Sequence, residues 1–220
     1  FYGADALSDE NKCAIHTSFS SNGNWPYDWS DLCFSYAFQT NAELQTAVDL
    51  WISDNATALT TYGEINTWDV SLITDMSNLF SDTDFNDDIG NWDVSSVTTM
   101  QHMFSMNDAL NQDLSSWDVS NVTDMSDMFY HASSFNGDLS DWNVSSVTNM
   151  DRMFRLGVFN GDLSGWDVSS VTTMVRMFQG VTNFNQDLSS WDVSSVVSML
   201  AMFYGASSFN ADLSAWDVSN

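Results

Sequence analysis

Apolar and polar positions along this chain repeat in blocks of one length. From residue 68 onward, Trp stands at 68, 92, 117, 142, 166, 191 and 216, with spacings of 24, 25, 25, 24, 25 and 25 residues. A fixed period in this range marks a stack of repeated units. Within a unit the pattern changes. Trp142 and Val144 are two apart, so in an extended chain they share one side. Val147, Met150, Met153 and Phe154 then follow the three-and-four spacing of one helical face. Ser145 or Ser146 is placed to cap the first amides of that helix. Each unit therefore predicts a short strand, a turn, about two turns of helix and a return through residues such as Phe135 and Asn136.

Leu139-x-x-Trp142-x-Val144 has the spacing of the leucine-rich-repeat strand, with Trp in the second apolar slot. A unit this small cannot bury its apolar side alone, but stacked neighbours can. The Trp column reads as filler of that slot, against the alternative of an exposed platform for sugar rings. The twelve Met residues all lie in the repeats and read as adaptable core filler, not as a metal-binding box. Asn185-Gln-Asp-Leu-Ser-Ser-Trp-Asp-Val-Ser-Ser195 and Thr123-Asp-Met-Ser-Asp-Met-Phe129 resemble the repeat of BspA-like leucine-rich-repeat surface proteins. The segment from Leu44 to Trp68 resembles the entry that often introduces such arrays. The resemblance implies a secreted or surface-displayed repeat protein and brings no catalytic residue with it. The predicted class is α/β, a leucine-rich-repeat-like solenoid with a short parallel strand and a short helix per repeat. An N-terminal, partly helical cap precedes it.

Three regions follow along the chain. Residues 1–40 form an aromatic-rich cap that includes Trp25, Trp29, Phe34, Tyr36 and Phe38, with a loop at Pro26. Residues 41–67 form an entry helix and linker, opened by a capping box at Thr40 and Glu43. Residues 68–220 carry the array, about six repeats long.

Charge narrows the partners. Thirty acidic residues against four Lys and Arg give a net charge of −26. Nucleic acid and anionic membrane surfaces are disfavoured, while divalent cations and basic protein surfaces are compatible. Disorder is not implied, because 44% of the chain is hydrophobic. No apolar run is long enough to span a membrane. The chain opens at Phe1, so the expectation is a targeting segment removed or a trimmed chain. Cys13 and Cys33 are expected to form a disulfide in an oxidising compartment. Asn55, Asn121 and Asn143 begin N-glycosylation sequons, Asn55 being the better placed.

The repeat also aligns acids into columns. One follows each Trp and includes Asp93, Asp118, Asp167 and Asp192, which are candidates for weak Ca²⁺ binding. The other precedes each Leu or Ile and includes Asp113, Asp138 and Asp187, placed to satisfy turn amides. No EF-hand spacing is present. His16, His102 and His131 carry no metal spacing and read as surface decoration. Acids that recur in every unit do not make the unique pair that glycoside hydrolysis requires.

The leading functional reading is therefore a non-enzymatic protein-interaction or adhesion module, secreted or at the cell surface. It would hold a protein or glycan through a concave acidic face or the N-terminal aromatics. The alternative is an accessory subunit docked in an extracellular or organelle-lumen assembly, and a polysaccharide-acting enzyme is a distant third. Adhesion predicts that residues varying between units cluster on the exposed strand face; assembly predicts apolar residues outside the repeat template. The C-terminal edge, with Leu213 and Trp216 on the interior template, is expected to be covered by further repeats or another chain.

Overall fold

A computed structural model describes residue 12 and residues 35–219. The Cys13–Cys33 pairing, and the aromatic-rich segment as far as Phe34, lie outside the described residues. Thr40 opens helix α1 (Asn41–Ser53) by accepting the Glu43 amide at 3.2 Å. The Glu43 carboxylate reaches back to accept the Gln39 amide at 2.8 Å, one residue before the cap. The helix buries Leu44, Ala47, Val48 and Trp51. Where the sequence predicted a linker, Asp54 caps a second helix, α2 (Asn55–Tyr62), accepting the Thr57 amide at 3.2 Å and its hydroxyl at 2.6 Å. Gly63 ends it with a φ of 76°. Tyr36 and Phe38 close the first unit: Ala37 pairs with Asp69, and the Phe38 ring lies 5.1 Å from Trp68 and 5.8 Å from Tyr62.

The array is not the α/β solenoid that periodicity predicted. Among the described residues it holds no α-helix and no extended strand. Single parallel bridges run from Asp75 to Thr99, Asp124, Asn149, Thr173 and Ser198. The reason lies in where the amides of the predicted helix go. In an α-helix each amide donates four residues back within its own segment. Here they alternate. Met100, His102, Phe104 and Met106 donate to Asp124, Ser126, Met128 and Tyr130 on the next coil, at 2.7 to 3.0 Å. Met103, Ser105 and Asn107 donate three residues back, at 3.1 to 3.2 Å.

The segment is thus a run of overlapping β-turns, and half of its donors tie coil to coil. The turns closed by Met103 and Asn107 have a positive φ at the third residue, the type II requirement, at His102 (56°) and Met106 (58°). The same two positions form columns through the stack. One is Asn78, His102, Asp127, Arg152, Arg176 and Ala201; the other is Asp82, Met106, His131 and Leu156, continued by Gly180 and Gly205. Met, Leu or Arg in this conformation costs about 1–2 kcal/mol each, so the ladder of coil-to-coil bonds must offset it.

Inside, apolar side chains stack in columns. Phe80, Phe104, Phe129, Phe154, Phe178 and Phe203 lie ring over ring at 5.5 to 5.7 Å. The Trp residues from 68 to 191 are each 3% exposed. Trp68, at the start of the array, donates its indole N–H to the Gly63 carbonyl. Within the array the indole N–H donates to a carbonyl one unit back: Trp117 to Ile89, Trp142 to Leu114, Trp166 to Leu139 and Trp191 to Leu163, at 2.9 to 3.1 Å. Those carbonyls also take the amide of their own unit's Trp, so both lone pairs are used. That second bond is what Trp adds over leucine. It also leaves the Trp column no surface on which a sugar could stack.

A further ladder joins the return loops. The side-chain oxygens of Asn86, Asn111, Asn136, Asn160 and Asn185 accept the amides of Asn111, Asn136, Asn160, Asn185 and Asn210, at 2.7 to 3.5 Å.

Candidate functional site

Because the units are copies of one template, positions where they differ stand out. The Trp-Asp-Val segment barely changes. The outer positions of the turn run vary among units: Ser77, Gln101, Ser126, Asp151, Val175 and Leu200 in one column, and Ser81, Ser105, Tyr130, Arg155, Gln179 and Tyr204 in another. With the two left-handed columns these make one face, the turn face. It carries His102, His131, Arg152, Arg155 and Arg176, which are all the His and Arg residues of the array. Unit-to-unit variation therefore includes the turn face and is slight on the acid-bearing Trp-Asp-Val face, where adhesion through the strand face would require it.

At its centre is a buried ion pair. Asp127 is 3% exposed. Arg152, one coil along the same left-handed column, donates Nε to Oδ1 at 2.8 Å and Nη2 to Oδ2 at 2.7 Å. The two-pronged geometry matches guanidinium to carboxylate. Asp127 holds the Arg152 guanidinium even more firmly protonated than usual, chiefly through these hydrogen bonds. His102 approaches Asp127 from the opposite coil, with Nε2 3.6 Å from Oδ2, beyond a direct hydrogen bond. Ser126 Oγ, beside the pair, is buried with no hydrogen-bond partner. Serine, histidine and aspartate thus meet here, yet the serine hydroxyl makes no bond to the imidazole, so nothing activates it as a nucleophile.

Next to this pair, Arg155 lies 5.2 Å over the Tyr130 ring and donates Nε to Gln179 Oε1 at 2.6 Å. His131 Nδ1 stands 3.5 Å from Asp108 Oδ1, which also accepts the Ser133 hydroxyl at 2.7 Å. The histidines read from sequence as decoration hold left-handed turn positions, where Asn, Asp and His are enriched. A period-wise alignment of His102 with Asn78 and Asp127 was the signal available.

The acid columns do different work. Asp93, Asp118, Asp167 and Asp192 are exposed, and each Oδ1 accepts the amide of the serine two residues on, at 3.0 to 3.1 Å. Asp113, Asp138 and Asp187 do the same with Ser115, Ser140 and Ser189. Ser145, expected to cap a helix, instead donates its amide and hydroxyl to Asn143 Oδ1. Among the described residues no three acidic, His or Cys side chains converge to hold a metal ion.

These bonds hold the carboxyls of Asp118, Asp167 and Asp192 below the ordinary range, the serine hydroxyl first and the amide second. For Asp138, Asp162 and Asp187 the order is reversed. Repulsion between stacked acids pushes upward and ranks last at Asp138, Asp162 and Asp167. Depressed folded values mean that stability is fully present above the unfolded pKa, about 3.9, and is lost as pH falls through the lower folded values. The melting temperature is accordingly expected to hold from pH 7 to about 5 and to drop below about 4. A rise on acidification would show that relief of repulsion outweighs the turn bonds.

A family model described as "Mycoplasma protein of unknown function, DUF285" matches residues 34–158 and again residues 141–220. The chain belongs to the DUF285 family. No curated protein and no solved structure matches it. The two matches in this DUF285 member overlap at residues 141–158, which include Arg152, so both members of the ion pair lie within matched residues. Of the three sequons, Asn121 donates its amide to the Ser95 carbonyl at 2.8 Å and Asn143 is the turn acceptor described above, whereas Asn55 is exposed at the first residue of α2.

Proposed function

We propose that the chain is a non-enzymatic protein-interaction module that binds through its turn face, secreted or displayed at a surface like the proteins its repeats resemble. The observation that carries this reading is that the turn face varies from unit to unit, and with it the return loop that follows, while the core columns and the Trp-Asp-Val segment barely change. A repeat stack needs its core and ladder positions alike and leaves the remainder free to match a partner. The turn face also exposes Met106 and Leu156 and carries Tyr130 and three arginines. Tyr, Met and Arg are the residue types enriched in protein interfaces. The acid face has the opposite character, since hydrated carboxylates are depleted from interface cores.

The accessory-subunit reading draws on a specific observation of its own. Val197 stands where earlier units carry the ladder residues Thr98, Thr123, Thr148 and Thr172. It is an apolar residue outside the template, the pattern a docked subunit calls for. Both readings are tested by photo-crosslinking in material from the source organism. Benzoylphenylalanine in place of Met106 or Gln179 should give discrete adducts, and in place of Ser95 or Ser120 none. Adducts confined to the acid face would overturn the assignment.

A further inference from the structure

The second left-handed column of the turn run reads Asp82, Met106, His131, Leu156, Gly180 and Gly205 through the stack. Asp, His and Gly suit that backbone. Leu does not, because its Cβ crowds the following carbonyl oxygen. Leu156 nevertheless adopts it, at φ 60°, and burial does not compensate, since the residue is 40% exposed. Met106 repeats the anomaly two coils earlier and is 47% exposed. Both stand on interior coils, and His131 between them is exposed too, so the openness of this column belongs to the face and not to an end of the stack. Val158, two residues past Leu156, adds another exposed apolar side chain. Unfavourable backbone that the fold does not use concentrates where a chain binds something.

The charges beside Leu156 are as unusual. Three of the chain's four Lys and Arg residues, Arg152, Arg155 and Arg176, stand on its coil and the next. Arg152 is held by Asp127. Arg155 lies against the Tyr130 ring and, among the described residues, donates only Nε, to Gln179. The Arg176 guanidinium has no hydrogen bond or ion pair among the described residues. Asp151, on the preceding coil, commits Oδ1 to the Thr173 hydroxyl and the Val175 amide. In a chain with thirty acids this is a local store of unmatched positive charge. Gly180 joins the two features. A Cβ there would stand 2.6 Å from Leu156 Cδ2, so the Leu156 side chain reaches onto the coil of Arg176 only because residue 180 is glycine.

We infer that Leu156, Val158, Arg155 and Arg176 form a docking surface for a segment of another protein that sets an acidic side chain beside a large apolar one. Arg176 takes the carboxylate through two parallel hydrogen bonds, and the unused Nη atoms of Arg155 offer a second anchor. The apolar side chain covers Leu156 and Val158 and excludes water from the ion pair, which strengthens it. A densely acidic partner is disfavoured, because the net charge of −26 repels it at a distance while only this patch attracts it. The inference rests on the turn-face reading and specifies what binds there.

The test uses the full chain as bait for a displayed library of random dodecapeptides. Enriched peptides should carry Asp or Glu beside Leu, Ile, Phe or Trp. In fluorescence anisotropy they should bind at least about tenfold more weakly when the acid is changed to its amide, a difference that Arg176→Gln removes. Leu156→Asn should weaken acid and amide forms alike, while the melting temperature holds or rises, since Asn suits the left-handed position better than Leu. A lower melting temperature for Leu156→Asn would show that the leucine serves the fold and would overturn the inference. Enriched peptides without an acid, binding that survives both substitutions, or no enrichment would each overturn it as well. So would self-association of the chain that Leu156→Asn abolishes, because a second copy would then be the occupant. Turn-face adducts in the crosslinking experiment would still uphold the broader reading, so the two failures are distinguishable.

Discussion

Trp142→Ala is expected to lower the unfolding free energy by about 4 kcal/mol, and Trp142→Phe by about 2 kcal/mol. Trp142 is 3% exposed, and its indole N–H donates to the Leu114 carbonyl at 3.0 Å. Truncation to Ala removes the largest side chain of its unit from a core already closed by Phe129 and Phe154. It therefore leaves a cavity that coils pinned above and below cannot fill. The Phe variant retains most of the ring but leaves the Leu114 carbonyl without its second donor. Urea titration followed by circular dichroism measures both. A change within about 0.5 kcal/mol for Trp142→Ala would mean the side chain is at the surface, and the internal Trp column would be wrong.

The second large effect concerns charge. Arg152→Ala is expected to cost about 3 kcal/mol, the low end for breaking a buried pair, because Arg152 itself is 39% exposed while Asp127 is nearly enclosed at 4%. Most of that loss comes from the carboxylate left behind. Adding Asp127→Asn in the same chain should recover a good part of it, since Asn is neutral and keeps the left-handed backbone that Asp127 adopts at φ 55°. Arg176→Ala, one coil further along the same column, should stay within about 0.5 kcal/mol, since nothing in the described residues depends on its guanidinium. Urea unfolding of the three variants, beside the unaltered chain, checks all three statements. Equal losses at Arg152 and Arg176 would contradict the pairing.

What the sequence showed and what it hid divide along physical lines. The Trp period reports which side chains are inside, and it does so whatever the backbone does between them. Val147, Met150, Met153 and Phe154 likewise turn inward as their spacing requires. That spacing does not fix which carbonyl each amide chooses. A three-residue turn run and an α-helix bring the same residues to one side, so the periodicity of Met150, Met153 and Phe154 fits either. The deciding information was the recurrence of Asn, Asp, His and finally Gly at two fixed places in the unit, at Asn78, Asp127, His131 and Gly180. Those types favour a positive φ, and a helix would not want them in register.

The caps were legible for the same reason that the helix was misread, as local chemistry at one position. Thr40 announces α1 through its hydroxyl. Asp54 announces α2 in the same way, but only eight helical residues follow, with Ala58 the one buried among them. Too little amphipathic pattern stood behind that cap to reveal the helix. The Asn86 to Asn210 ladder shows in the sequence only as a repeated Phe-Asn or Leu-Asn pair, and a loop asparagine signals a turn before it signals a partner one unit away. The ion pair of Asp127 and Arg152 lay outside reach, since residues 25 apart are joined only when the stack is built.

The central claim is that the array is a stack of turns joined by alternate coil-to-coil hydrogen bonds, and it can be measured bond by bond. Scalar coupling across a hydrogen bond links an amide nitrogen directly to the carbonyl carbon that accepts from it. In isotope-labelled protein, the Phe104 nitrogen should couple to the carbonyl of Met128, its acceptor at 2.9 Å, and the Met103 nitrogen to that of Met100 at 3.1 Å. Coupling of Phe104 to the carbonyl of Met100, four residues back in its own segment, would mean that the segment is an α-helix and that the account of the array is wrong.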